Sequence, residues 1–224
     1  MSAGRSAIGT SRGRLCGPAS GWPAASAHWP NPVVHVCQTR PVIPGAATPL
    51  KLRAEVDDDR HLIRSVVVAA FSPNVEVAGL VDALRRSPAF IPQLSLVATV
   101  DGVVVGHVLL TAAELVDERA VQHRVLVLSP LSVLPQQQRR GIGAALVREA
   151  LARADGEGGE IVVLQGSPRC YPRFGFRDSR TLGISMDVPD WAPPEAGMAC
   201  PLSAYQASTR GRLIESPPFL ELTH

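Results

Sequence analysis

The sequence predicts an α/β (α+β) fold, a mixed sheet with helices on its faces. Three observations carry this expectation. From Leu50 onward, apolar periodicity runs in the order β-α-α-β-β-β-α-β-(α)-β-β. Asp101-Gly102 sits between the apolar runs 94–100 and 103–112, the pattern of a tight two-residue hairpin. Residues 125–133 are nearly continuously apolar, as a strand covered on both faces requires, and helical spacing follows over 141–154.

In chain order, residues 50–53 read as a short strand, and Asp57 or Asp58 is placed to N-cap a helix running to about Phe71. Ser72-Pro73-Asn74 breaks that helix. Val77, Leu80, Val81 and Leu84 then recur as one face of a second helix over 75–86, which Ser87-Pro88 ends. The hairpin comes next, then a polar stretch at 117–122 and the apolar strand 125–133. In the helix at 141–154, Ile142, Leu146, Val147, Ala150, Leu151 and Ala154 share one side, while Glu149 and Arg153 are spaced to pair on the outer face. Gly156, Gly158 and Gly159 end it. Residues 160–164 read as another buried strand, and two further strands are expected near 181–186 and 199–205.

The chain has 224 residues, 46% of them hydrophobic, enough for one domain with a real core plus a tail. A formal net charge of +2 argues against a dedicated nucleic-acid binder. No apolar run reaches the ~18 residues of a membrane span, so a cytoplasmic protein is expected. Residues 1–49 differ from the rest. They are rich in Gly, Pro, Ala and Ser, and no acidic residue precedes Glu55. Such a segment buries too little apolar surface to offset its ordering entropy, so a disordered tail is expected, with the domain proper at 50–224. An Arg- and Ser-rich, acid-free start also fits an organellar transit peptide, and a start codon placed too early would look the same. Cys16, Cys37, Cys170 and Cys200 are far apart, and neither they nor the six histidines show metal-ligand spacing; reduced, unrelated thiols and no metal are expected.

The most informative segment is Gln138-Arg139-Arg140-Gly141-Ile142-Gly143-Ala144, between a strand and a helix. Helix N-termini carry free N–H groups and partial positive charge, which suit phosphate. Gly141 and Gly143 remove side chains from an approaching anion, and Arg139 and Arg140 add charged donors. The segment is neither a Walker loop nor a dinucleotide fingerprint, since it lacks Gly-Lys-Ser/Thr and a third glycine. Pro130, inside the preceding strand, cannot donate to a ladder, so pairing there must be interrupted or bulged.

Gln138-x-x-Gly141-x-Gly143 resembles the Q/R-x-x-G-x-G/A signature of the GNAT N-acetyltransferase superfamily. Leu128-Ser129-Pro130-Leu131-Ser132-Val133, Gly106-His107-Val108-Leu109, Tyr171-Pro172-Arg173-Phe174-Gly175-Phe176 and Pro217-Pro218-Phe219 are similar to its YhbS-like branch. The resemblance spans about 50–220. It implies a mostly antiparallel six- to seven-stranded sheet, with helices on both faces, splayed between its fourth and fifth strands. Acetyl-CoA would be the cosubstrate, with its pantetheine arm beside Leu131, Ser132 and Val133. Its pyrophosphate would lie on the amides of Arg139, Arg140, Gly141, Ile142, Gly143 and Ala144. Tyr171 falls at the family's general-acid position, and the reaction would be acetyl transfer to an amine of a small molecule, peptide or protein.

The family's frequent strand-four glutamate is missing from 125–133; Glu76, His107, Glu114 and His123 are substitutes for the base, the first two foremost. Cys170 beside Tyr171 reads as a bystander thiol, since direct transfer needs no thiol nucleophile. The other reading of the same residues is a catalytically weak acyl-CoA-binding or regulatory module. Neither acceptor nor oligomeric state is written in the sequence, and a homodimer stays open.

Overall fold

The computed structural model describes residues 49–221, so the expected N-terminal tail and the last three residues lie outside the described residues. The sheet orders its strands β1-β2-β3-β4-β5-β8-β6, with β9 beside β3 and β7 beside β9. Its strands are β1 (Lys51–Ala54), β2 (Phe90–Val100), β3 (Val103–Val116), β4 (Gln122–Val133), β5 (Ile161–Gln165), β6 (Arg177–Asp178), β7 (Ile184–Ser185), β8 (Gly197–Pro201) and β9 (Gly211–Ile214). The helices are α1 (Arg60–Phe71), α2 (Glu76–Arg86), α3 (Ile142–Gly156) and the short α4 (Pro217–Leu220). β4–β5 and β7–β9 are parallel and every other pairing is antiparallel, so the mixed, mostly antiparallel architecture is as expected.

The central meander forms because its turn chemistry and apolar pattern agree. Asp101 and Gly102 both have positive φ (53° and 78°), the geometry a tight hairpin turn demands. β2 and β3 then alternate their faces. Leu96, Ala98, Val108 and Leu110 pack on one side with Leu146, Val147 and Ala150 of α3. On the other side Val97 and Val104 meet Ile63, Val67 and Val81 of α1 and α2, and Leu109 meets Leu80 and Leu84. Gly106 lets α3 approach closely: an added Cβ would stand 3.0 Å from Leu146 Cδ1 and 3.2 Å from the Ser132 carbonyl.

Several expectations are corrected in detail. Neither Asp57 nor Asp58 caps α1. A 3-10 turn, Asp57–Asp59, precedes it, and the buried Asp59 accepts from the Val56 N–H (2.9 Å) because Arg53 grips the same carboxylate. The strand expected over 181–186 shrinks to Ile184–Ser185 behind a 3-10 turn. β6 and β9 carry no alternating apolar signal of useful length. Of the cysteines in the described residues, Cys200 is a buried free thiol, whereas Cys170 is disulfide-bonded, against the all-reduced expectation.

Candidate active site

β4 is the spine of the site. Its register against β3 pairs Val108 with Leu131 but Leu110 with Leu128, so Ser129 and Pro130 together face Leu109. This is the bulge that Pro130 predicted, since its ring nitrogen has no hydrogen to give. On its other edge β4 pairs with β5 only at Leu126↔Val162 and Val127↔Val163. Beyond Val127 the two strands part: β4 continues to Val133 along β3, and β5 turns wholly to β8. The splay between the fourth and fifth strands is therefore present, and it opens beside the bulge.

At its far end β4 runs into a 3-10 turn (Pro135–Gln137) and the glycine-bearing loop. Gln138 Nε2 donates to the Val133 carbonyl (3.0 Å), tying the loop to the strand end. Arg139 and Gly141 both have positive φ (63° and 82°), and the first bond into α3 runs from the Ala145 N–H to the Gly141 carbonyl (2.9 Å). The N–H groups of Ile142, Gly143 and Ala144 thus find no backbone acceptor among the described residues, as at any helix start. Arg139 and Arg140 are exposed, and Arg140 reaches Gln137 Oε1 (3.1 Å). Leu131, Ser132 and Val133 close β4, and the 3-10 turn then brings the chain to Gln138 and the loop, so the residues expected to bind cofactor lie at one strand end and the following helix start.

Tyr171 stands across the splay, in the 3-10 turn Tyr171–Phe174 after β5. It is 0% exposed, edge-on to Phe176 (centroids 5.5 Å) and tilted against Phe174 (6.3 Å). Gly166 makes room for it, because a Cβ there would lie 2.5 Å from the tyrosine ring. Burial pushes the phenol well above its ordinary value, a little offset by Arg173, so it stays protonated.

The two foremost base candidates part company. Glu76 is exposed at the start of α2. His107 is 0% exposed on β3, directly opposite Ser132 of β4. Around it lies a polar cluster that the sequence did not disclose. Glu55 and Arg85, only 7% and 6% exposed, form a two-pronged ion pair (Nε–Oε1 2.8 Å, Nη2–Oε2 2.9 Å). Ser95 Oγ donates to Glu55 Oε2 (2.5 Å) and lies 3.0 Å from His107 Nε2, which is itself 3.5 Å from Glu55 Oε2. Burial alone would raise the Glu55 carboxyl, but hydrogen bonds from His107, Arg85 and Ser95 hold it far below the carboxylate range. Burial also lowers the His107 imidazole, against the pull of Glu55. Residues 30 and 40 positions apart meet here, which no local spacing could reveal.

A separate cleft of about 280 Å³ lies at the far end of α3, lined by Leu94, Arg124, Glu157 and Glu160 among others, away from the loop at the start of that helix. No group of His, Cys, Asp and Glu among the described residues is arranged to hold a metal, and no described helix is long and apolar enough to cross a membrane.

The model of the Acetyltransferase (GNAT) family matches residues 63–176 of the 224. The chain belongs to the GNAT family. A relative, the uncharacterized N-acetyltransferase YjhQ of Escherichia coli K12, is 36% identical over 120 residues; the match covers 53% of this chain and spans 64% of that relative's length. A GNAT family acetyltransferase from Brucella melitensis, crystallised in complex with acetyl-CoA, is 30% identical. It superposes with a TM-score of 0.62 over 77% of this chain and 99% of that one. YhbS from Escherichia coli, solved in complex with CoA, has a TM-score of 0.68 at 24% identity, over 81% of this chain and 96% of its own; at that identity the likeness carries the fold. The GNAT match takes in Arg85, Ser95, His107, the loop and Tyr171, whereas Glu55 lies upstream of it.

Proposed function

We propose that this GNAT chain transfers an acetyl group from acetyl-CoA directly to an amine of a small molecule, peptide or protein. The observation that carries the reading is the splay: β4 leaves β5 after Val127, runs on past the Ser129–Pro130 bulge, and delivers its free edge to the open helix start at Gly141. An extended ligand arm can bond the backbone of that edge, and an anionic group can lie on the amides of Ile142, Gly143 and Ala144. The acetyl-CoA complex of the Brucella melitensis relative supports the same ligand here.

Amide formation from a thioester asks for three things: a deprotonated amine, donors for the tetrahedral oxyanion, and a proton for the leaving thiolate. In this reading backbone N–H on the unpaired edge of β4, around Leu131, Ser132 and Val133, supplies the second. Tyr171, protonated and across the splay, supplies the third. Arg139 and Arg140 add charge beside the pyrophosphate.

Calorimetry with acetyl-CoA and a screen of amines by free-thiol release test the reading. Micromolar binding and thiol release with at least one amine class are expected. Gly141→Asp should abolish binding, because the new residue must hold φ near 82° and sets a carboxylate where the phosphates lie. Unchanged affinity in that variant would remove the loop from the site. One observation favours the alternative of a catalytically weak acyl-CoA binder: β4 holds no Asp or Glu. Binding without thiol release from any amine would establish that alternative.

A further inference from the structure

Four buried side-chain polar atoms among the described residues have no hydrogen-bond partner, and two of them, His107 Nδ1 and Thr111 Oγ1, lie on one face of β3. They flank Leu109, the residue facing the Ser129–Pro130 bulge: His107 is opposite Ser132, Thr111 opposite Val127. An unpartnered acceptor in the interior keeps the full cost of its desolvation. Its place beside the bulged, splayed strand therefore needs an explanation that packing does not give.

The hydrogen bonds assign the tautomer. The Ser95 hydroxyl hydrogen is committed to Glu55 Oε2, so Ser95 Oγ is left to accept from His107 Nε2–H. Nε2 thus carries the proton and Nδ1 presents a lone pair. Arg85 holds Glu55 from the other side by two bonds, and Asp82 of α2 in turn accepts from Arg85 (3.1 Å) and from Arg64 of α1 (2.5 Å). Asp59, gripped by Arg53 of β1, completes the charged groups near the ring, and Ser132 of β4 donates to the His107 carbonyl (3.4 Å). Ser95 and Glu55 hold the imidazole on its Nε2 side, and no hydrogen bond uses Nδ1.

From this we infer that His107 Nδ1 is the general base of the acetyl transfer, reached through one water that enters when bound substrate opens the interior beside it, and that Glu55, Arg85 and Ser95 are its positioning residues. This inference rests on the acetyltransferase reading above. The amine proton passes through the water to Nδ1 as the amine nitrogen bonds to the acetyl carbon; the C–S bond breaks, and the sulfur leaves with the proton of Tyr171 or of solvent. The resulting imidazolium keeps Nε2–H on Ser95 and faces the Glu55 carboxylate, which offsets its charge. Proton return from His107 to solvent and reprotonation of Tyr171 close the cycle with no net change. The base is thus supplied from β3, the strand next to the one on which the family often carries it.

Kinetics on the full chain test this with one amine of high and one of low basicity. Expected for His107→Gln is a kcat lowered about 10²- to 10⁴-fold with the basic amine, an acidic limb absent from the pH–rate profile, and unchanged acetyl-CoA affinity. With the weakly basic amine, which needs little deprotonation, the loss should shrink at least tenfold; a purely structural role would lower both amines alike. Ser95→Ala removes one hydroxyl and guards against failure of the histidine variant to fold. It should lower kcat less, with the same dependence on amine basicity, and long-range nitrogen spectra should show the His107 tautomer turning from Nε2–H to a mixture. Wild-type turnover retained in both variants, or equal losses with both amines, overturns the relay while leaving the acetyltransferase reading intact. A wild-type protein that releases thiol with no amine overturns that reading instead.

Discussion

Tyr171 shows how burial limits the chemistry of one residue. For an unshifted phenol, giving a proton to a thiolate is uphill by roughly 1.5 pKa units, about 2 kcal/mol. Enclosure by Phe174, Phe176 and the bare Gly166 backbone raises the phenol further, so the transfer is steeper in the closed site than in water. Under the proposed acetyl transfer, the tyrosine would act chiefly as a hydrogen-bond donor to the departing sulfur, with solvent supplying most of the proton. Tyr171→Phe should lower kcat about 10- to 100-fold, below the upper range for a general acid, with acetyl-CoA affinity by calorimetry unchanged. A kcat equal to wild type across pH 6 to 9 would remove Tyr171 from the reaction. The phenol was legible in the sequence because it sits in a recognisable six-residue motif. Its enclosure was not, since it depends on Gly166 and on strands that pair far along the chain.

At the scale of elements, the site is a junction held by close packing. α3 must start where β4 ends, and it is located there by Gly106 of β3, on which Leu146 and Ile142 rest. Gly106→Ala would bring a methyl to 3.0 Å from Leu146 Cδ1, 3.2 Å from the Ser132 carbonyl and 3.3 Å from Ile142 Cγ2. The α3 side chains can give way but the Ser132 carbonyl of β4 cannot, so β3 and β4 should shift against the start of α3. A loss of about 1–3 kcal/mol in denaturant unfolding is expected, together with weaker acetyl-CoA binding, as the open amides move relative to β4. Unchanged affinity in a destabilised variant would separate the loop from this packing. Local signals foretold both sides of the junction: Asp101-Gly102 gave the hairpin, Pro130 the bulge, and Gly141 the helix start. The polar cluster behind it escaped because Glu55, Arg85, Ser95 and His107 come from four different elements or connections. Each alone reads as a surface charge, a helix end or a strand residue. Short pairings such as β6 and β9 escaped for a related reason: two to four residues fixed by neighbours leave no period to read.

For the whole molecule, the buried cluster predicts how stability depends on pH. Glu55 is depressed from its ordinary 4.5 and Asp59 from 3.8, so each contributes stability above those values that is lost as pH falls below them. His107 acts in the same direction from a different cause. Its imidazole is depressed from 6.5, so below that pH the unfolded chain takes a proton that the folded one refuses. The cluster's contribution should therefore be flat from neutral pH to about 9, begin to fall below about 6.5, and fall faster below about 4.5; above about 9 the buried Cys200 thiol, and above about 10 the Tyr171 phenol, lower stability in turn, because burial raises both. Denaturant unfolding at several pH values measures this. His107→Gln should remove the upper part of the fall and leave the lower part. Glu55→Gln should act oppositely and lower stability at neutral pH by about 3–5 kcal/mol, because Arg85 then keeps a buried charge without its partner. Replacing Glu55 and Arg85 together by apolar residues of similar volume removes both charges, so much of that loss should be recovered. If the double variant regains stability yet turns over amines as poorly as His107→Gln, the ion pair is present for the orientation of the imidazole and not for the stability of the fold. A double variant as active as wild type would mean that Ser95 and the packing around β3 orient His107 unaided.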